Sequence, residues 1–193
     1  MHVYLETPRL VLRRFTTADV DALAELDSDP DVMFYITGGR PTPRDEIEND
    51  VLPSWLRYYE QGDLGFWATI EKETGQFVGW FHLRAEEDNQ AELGYRIRRD
   101  AWGKGYATEG SRALVQKGFA ELGLDRIRAE TMVVNTASRR VMEKAGLTYV
   151  RTFFADWPHK IPGDEHGDVE YALTRQEWTR RGSTCDAAPG LEI

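Results

Sequence analysis

The sequence predicts an α+β fold, a mostly antiparallel sheet with helices, and three observations carry that expectation. Strand-like runs over residues 65–71, 77–84 and 91–98 follow one another through the polar turns Glu73-Thr74-Gly75 and Glu86-Glu87-Asp88-Asn89, the pattern of antiparallel hairpins. The third run enters a glycine-containing turn, Trp102-Gly103-Lys104-Gly105, and a helical run over 106–122 leaves it, giving one strand–helix–strand unit. The chain has 193 residues and is 41% hydrophobic, which fits a single domain with enough core to fold alone.

Taken in order, Leu10, Leu12 and Phe15 mark a first strand over about residues 9–14. Thr17 is the expected N-cap of a helix in which Val20, Leu23, Ala24 and Leu26 supply the apolar spacing, ending near Pro30. Residues 32–39 form a mixed segment with Met33, Phe34, Tyr35 and Ile36 ahead of two glycines. Thr42-Pro43-Arg44-Asp45-Glu46 opens a second helix, with Pro and acids in its first turn. Pro53 should bend or interrupt it, and Trp55, Leu56, Tyr58 and Tyr59 form its apolar side. The helix after the glycine turn carries a small and apolar face at Ala107, Ser111, Leu114, Val115, Gly118 and Phe119. Gly118 costs about 1 kcal/mol there relative to Ala, so close packing on a strand is its expected reason. A strand over 127–134 ends at Asn135, and a helix over 137–144 closes at Gly146. Two late strands are expected over 147–155 and 168–174, with Pro158, Pro162 and Gly163 in the loop between them. Residues 1–181 read as one domain and 182–193 as a flexible tail.

Gly103 and Gly105 free the turn of side chains, so backbone N–H groups can converge on one spot. The unpaired N–H groups and the dipole of the following helix point the same way. That combination is an anion site, and phosphate is the usual anion. Lys104, Arg98 and Arg99 make it a basic island; the alternative is an ordinary glycine turn with solvated cations. The phosphate loop of nucleoside triphosphatases is absent. A dinucleotide fingerprint fits poorly, because position 108 is Thr and Asp125 precedes a strand instead of ending one.

The net charge is −9, with Asp+Glu 33 against Lys+Arg 24, the wrong sign for a non-specific nucleic-acid binder. Acidity suits a cationic acceptor, and it equally serves solubility. Cys185 is the sole cysteine, so no intrachain disulfide is expected. Residues 1–15 carry Glu6, Arg9 and Arg13 without a continuous apolar region, unlike a signal peptide. No run approaches the ~20 apolar residues of a membrane span, so no membrane partner and a cytoplasmic location are expected.

Trp102-Gly103-Lys104-Gly105-Tyr106-Ala107-Thr108-Glu109 resembles the acyl-CoA pyrophosphate loop of the GNAT N-acetyltransferases. That family's pattern Q/R-x-x-G-x-G/A falls on Trp102, Gly105 and Ala107, with Trp in the place of Gln or Arg. This departure is typical of the branch resembling the RimJ and RimL ribosomal-protein acetyltransferases. Asn135-Thr136-Ala137-Ser138 and Glu143-Lys144-Ala145-Gly146-Leu147 resemble the branch's N-x-x-S and E-K-x-G-F block, and residues 6–13 resemble its opening strand. The resemblance covers about residues 4–178 and implies a GNAT acyl-CoA N-acyltransferase fold, its sheet splayed at the cofactor site and flanked by helices. It implies acetyl-CoA as acyl donor, held by Ile97, Arg98, Trp102, Gly103, Lys104, Gly105, Tyr106, Ala107, Thr108, Asn135 and Ser138. The pantetheine arm then lies between the strands ending near Arg98 and Val134, pairing with backbone around Ile97.

Acetyl transfer to an amine needs a neutral amine, a polarised thioester carbonyl and release of the thiolate. Glu92 is the candidate base, directly or through a water; alternatively it forms a polar sheet face with Gly94 and Arg96. Backbone N–H near Ile97 or Arg98 is the candidate oxyanion donor. Many family members place a Tyr on the helix after the Asn to assist the thiolate, but that place holds Met142, so Ser138 is the candidate. Ser138 is alternatively a helix N-cap, and Asn135 alternatively a strand end. The acceptor pocket is expected at Phe34, Tyr35, Trp67, His82 and the loop of Trp157, although such aromatics also serve as core and His82 also as a hydrogen-bonded core histidine. Four histidines without ligand spacing and one cysteine give no expected metal. The expected function is N-acetylation of a primary amine on a protein or peptide N-terminus, a polyamine, an antibiotic or an amino acid. The alternative is a non-catalytic CoA-binding regulatory or interaction domain, and a homodimer is left open.

Overall fold

The computed structural model describes residues 2–156 and 160–185. It begins with β1 (Val3–Glu6) and β2 (Leu10–Arg14), followed by α1 (Val20–Ser28) and α2 (Pro30–Thr37). A short α3 (Arg44–Glu46) runs through a π-type turn (Ile47–Val51) into α4 (Leu52–Gln61). The meander β3 (Gly65–Glu71), β4 (Phe77–Ala85) and β5 (Gln90–Ile97) leads to α5 (Tyr106–Ala120). Then come β6 (Arg126–Met132), α6 (Thr136–Lys144), β7 (Thr148–Phe153), β8 (Asp168–Thr174) and α7 (Arg175–Cys185). The strands form one sheet in the order β1-β2-β3-β4-β5-β6-β8-β7. All its neighbours pair antiparallel except β5 and β6, which are parallel because the crossover through α5 separates them.

That parallel pair positions the site. β5 and β6 match only at Gln90 with Arg126, Ala91 with Ile127 and Glu92 with Arg128. Beyond that vertex β5 runs on to Ile97 and β6 to Met132, each without the other. β5 stays tied to β4 through Ile97 opposite Gly79, and β6 to β8 through Met132 opposite Asp168. The two halves of the sheet therefore diverge into a V.

Side-chain alternation divides the core between the two faces. Leu10, Leu12, Trp67, Phe81, Leu93 and Ile97 pack towards α5, with Leu114, Phe119 and, from α6, Met142. Phe66, Ala68 and Trp80 face the other way, against Val20, Leu23 and Leu26 of α1 and Leu52 of α4. Gly118 is where close packing was expected: a Cβ there would stand 2.8 Å from the Ile127 Cδ1. Gly110 is tighter, at 2.3 Å from the Phe81 ring.

Several local expectations shift. The mixed segment at 32–39 is α2, started by Asp29, whose carboxylate accepts from the Asp31 N–H, and ended by Gly38 in a left-handed conformation. Its period is weak because only Val32 and Met33 are buried while Phe34, Tyr35 and Ile36 face outward. The turn before α1 is capped by Thr16, not Thr17, and Asp19 closes it by accepting from the Thr16 N–H at 2.8 Å. Pro53 follows closely on the π-type turn at Ile47–Val51, so the second helix is interrupted beside it as expected. α7 continues to Cys185, past the Gly182 at which the tail was expected to start; residues 186–193 lie outside the described residues.

Candidate active site

The glycine turn stands at the open end of the V. Gly103 and Gly105 hold φ of +75° and +83°, a conformation that side-chain-bearing residues rarely adopt, and a Cβ on Gly103 would meet nothing within 4 Å. Gly105 caps α5, and the first helical bond runs from the Glu109 N–H to the Gly105 carbonyl at 3.0 Å. The N–H groups of Tyr106, Ala107 and Thr108 therefore lack a helical acceptor and, with the dipole behind them, fit an anion. Trp102, where the family has Gln or Arg, donates its indole N–H to the Ile97 carbonyl at 2.8 Å and ties the turn to the end of β5.

The charges around the turn are less free than the sequence suggested. Arg98 pairs with Glu25 at 3.0 Å and Asp100 at 3.4 Å, and Arg99 with Asp29 at 3.1 Å and Asp31 at 3.0 Å. Both arginines thus brace the turn against α1 and α2. Tyr106 is buried and donates its hydroxyl to Glu71, with the Arg9 guanidinium 4.7 Å over its ring. Its side chain belongs to the packing behind the turn, leaving its backbone N–H for a ligand. Lys104 and Thr108 complete the turn and the first helical turn.

Backbone along the V is open on the β5 side. The Arg98 N–H donates to the Val78 carbonyl at 2.9 Å, so the two-residue alternation of an antiparallel ladder turns the backbone of Tyr95 and the N–H of Ile97 towards the missing β6 neighbour, while the Ile97 carbonyl accepts from Trp102. An extended arm lying there finds strand partners, as an added strand does.

One face of the vertex carries carboxylates. Glu92 ion-pairs with Arg84 and stands 3.9 Å from Arg128, which also binds Glu86 and Glu130. Glu92 and Glu130, one from each arm of the V, thus share a single guanidinium. Burial raises Glu130 above the usual carboxylate range, the charges of Glu92 and Glu170 add to it, and Arg128 only partly opposes them. An open concavity of about 430 Å³ on this face is lined by Glu86, Arg126, Arg128, Glu130, Arg151 and Glu170, among others. Glu130 and Arg128 escaped the sequence reading because alternating charge on a strand reads as a solvated face.

The opposite face carries hydroxyls. The Ser138 N–H donates to the Asn135 side-chain carbonyl at 3.2 Å, so Asn135 is the N-cap of α6 and Ser138 is not. Asn135 is anchored in turn by donating to Thr131 Oγ1 at 3.1 Å. Freed of capping, Ser138 Oγ lies 2.9 Å from Tyr95 Oη. Burial pushes the Tyr95 hydroxyl up to about 12, against the opposing Ser138 contact. Met142 is buried in the core. Tyr95 gave no sequence signal, since between Leu93 and Ile97 it reads as core.

The expected acceptor residues separate. Trp67 is 1% exposed and stacks on Tyr4 at 4.0 Å on the α5 face, a core role imposed by strand alternation with its neighbour Phe66. His82 lies on the carboxylate face between the Phe66 and Trp80 rings and against Gly94, whose Cβ would stand 2.5 Å from the imidazole. Neither ring nitrogen has a partner among the described residues, so it is not the hydrogen-bonded core histidine considered above. Burial, with Arg84 and Arg96 nearby, lowers it to about 3 and keeps it neutral. Phe34 and Tyr35 form an edge-to-face pair at 5.0 Å on the outer side of α2. Trp157 lies outside the described residues.

A sheet splayed beside a glycine turn that opens a helix is the arrangement expected above for an acyl-CoA-dependent transferase fold. Comparison with known proteins makes the class specific. The acetyltransferase (GNAT) domain family matches residues 9–148. An Aspergillus fumigatus protein, FsC-acetyl coenzyme A-N(2)-transacetylase, is 38% identical over 185 residues, covering 91% of this chain and 78% of that protein. The crystal structure of a GNAT-family acetyltransferase from Bacillus anthracis superposes with a TM-score of 0.74 at 28% identity, over 92% of this chain and all (100%) of that one. The RimL ribosomal alpha-N-protein acetyltransferase, solved in complex with coenzyme A, shares the fold at a TM-score of 0.76 and 19% identity, covering 91% of this chain and 99% of that one. This chain belongs to the GNAT acetyltransferase family. It is an N-acetyltransferase whose acyl donor is acetyl-CoA.

Proposed function

We propose that the chain transfers the acetyl group of acetyl-CoA by direct attack of a small-molecule primary amine. The observation that carries this reading is the V between β5 and β6, with open backbone along one arm, an anion-fitting turn at its mouth, carboxylates on one face of its vertex and hydroxyls on the other. In it, backbone N–H groups of residues 103–108 hold the pyrophosphate, and Tyr95 and Ile97 backbone holds the pantetheine arm. The amine enters from the carboxylate face, where Glu92 takes its proton and Glu130 supports it through their shared Arg128. The attacking nitrogen forms the C–N bond, the C–S bond breaks, and the thiolate departs towards the face of Ser138.

The name of the Aspergillus relative states acetyl transfer from acetyl coenzyme A to an N(2) position, and its similarity over 91% of this chain supports a small-molecule amine as acceptor. The test is release of free CoA thiol from acetyl-CoA across a panel of small α-amines, polyamines and peptides with free N-termini. Turnover with a small α-amine at a kcat/KM above that of every peptide is expected. Tight acetyl-CoA binding without amine-dependent thiol release would instead favour a CoA-binding domain without turnover.

A further inference from the structure

The two arms of the V meet across their hydroxyl face at Tyr95 and Ser138, with Tyr95 Oη 2.9 Å from Ser138 Oγ. Tyr95 comes from β5, the arm with open backbone, and Ser138 from the first turn of α6, directly after the β6 arm. Ser138 has no capping duty, because Asn135 performs it. Among the described residues the tyrosine has one other acceptor in reach, the Ser138 carbonyl at 3.4 Å, near the outer limit of a hydrogen bond. Either oxygen can donate in the shorter contact; with the tyrosine as its donor, the serine's own proton is left to point elsewhere.

We infer that Tyr95 is a positioning residue for thiolate release: its hydroxyl donates to Ser138 Oγ, which turns the serine O–H towards the departing sulfur. This rests on the acetyl-transfer reading proposed above. The chain of bonds runs Tyr95 O–H to Ser138 Oγ, then Ser138 O–H to sulfur, and each donor polarises the next. No proton leaves either hydroxyl. A thiol has an ordinary pKa of about 8.5, so its sulfur departs as thiolate under this hydrogen bond and takes its proton from solvent afterwards. The tyrosine stays a donor across the working range because its hydroxyl titrates only at about 12. Its ring is fixed against Phe81 at 5.8 Å, which sets where the hydroxyl stands.

The experiment is a double-mutant cycle of Tyr95→Phe and Ser138→Ala, with kcat, acetyl-CoA affinity and unfolding midpoint measured on each protein. Ser138→Ala should lower kcat by roughly 10- to 100-fold, about what one hydrogen bond to a charged group confers. Tyr95→Phe should lower it by about 5- to 20-fold with acetyl-CoA affinity within twofold, and the double variant should be no slower than Ser138→Ala alone. Equal losses from Tyr95→Phe whether or not Ser138 is present would overturn the inference while leaving the acetyl-transfer reading intact. A wild-type protein that turns over no amine would instead fail that reading. In that case the same bonds are read without an acceptor, by titrating the thiolate absorbance of CoA bound to each variant. The bound thiol should ionise at higher pH in Tyr95→Phe and in Ser138→Ala than in wild type; an unchanged thiol in Tyr95→Phe overturns the inference. Ser138→Thr, which keeps a hydroxyl, should retain most of the wild-type rate if either single variant proves unstable.

Discussion

Glu109, in the first turn of α5, holds Arg9, 100 positions earlier in the chain, through Arg9 Nε to Glu109 Oε2 at 2.6 Å. The same carboxylate accepts from the Arg9 backbone N–H at 2.9 Å and from Thr7 Oγ1 at 2.6 Å. Arg9 Nη1 goes on to the Lys104 carbonyl at 2.9 Å. The start of β2 thereby fixes both the glycine turn and the helix that opens from it, and the turn borrows its rigidity from an outer strand of the β5 half of the sheet.

Glu109→Ala should lower stability by about 1.5–3 kcal/mol, the usual loss for hydrogen bonds to a charged group. Burial pushes the Glu109 carboxyl up, but hydrogen bonds from Thr7 and from the Arg9 backbone and side chain outweigh it and hold the group below its usual range. A depressed carboxylate stabilises fully above its unfolded pKa, about 4.3, and that contribution fades as pH falls through the folded value. Urea unfolding of wild type and Glu109→Gln should differ most near neutrality and converge in acid. A gap that persists or widens in acid contradicts this.

Gly105→Val should raise the Kd for acetyl-CoA at least tenfold in a folded protein, because its φ of +83° is strained for valine and the turn's N–H groups would move. Lys104→Ala should cost about 1 kcal/mol of binding or less, as an exposed charge. Calorimetry with both variants ranks backbone against charge, and an unchanged Kd for Gly105→Val would remove the loop from the cofactor site.

Glu92→Gln should lower kcat/KM by roughly 10²- to 10⁴-fold at neutral pH, with the loss shrinking as pH approaches the amine's own pKa. Glu130→Gln should cost less than about tenfold if its carboxylate only supports Glu92 through Arg128. Removing the Glu92 charge should also let Glu130 ionise at lower pH, since Glu92 is among the charges that raise it. Should the two variants rank the other way in steady-state kinetics, Glu130 takes the base role.

Gly110→Ala should destabilise by about 1–3 kcal/mol, since the new Cβ would stand 2.3 Å from the Phe81 ring in a packed layer. Differential scanning calorimetry reads this directly. A Tm equal to wild type would mean that α5 and β4 are less tightly seated than their contact indicates.

Sequence patterning exposed most of the framework because its cues are local. The meander of β3 to β5, the strand–turn–helix of Gly103 and Gly105, and the block from Asn135 to Gly146 each declare themselves within a few residues. α2 did not, because its outward-facing Phe34, Tyr35 and Ile36 hide the period of a helix that buries only Val32 and Met33. Trp67 could not be assigned for a related reason: an aromatic on a strand carries no local sign of which sheet face it takes, and alternation with Phe66 assigns it to the core.

The sequence by itself determined most of the elements, the glycine turn and the family, because backbone propensity, glycine conformation and short motifs act between near neighbours. Only the tertiary structure decided which side chains meet across the V. Ser138 faces Tyr95 because Asn135 takes the cap, 3 residues before it, and because β5, 43 residues away, swings its tyrosine under α6. Glu92 and Glu130 share Arg128 because a parallel pair that ends after three registers brings two distant strands to one vertex. Those contacts depend on where the sheet stops pairing, and no stretch of a few residues encodes that.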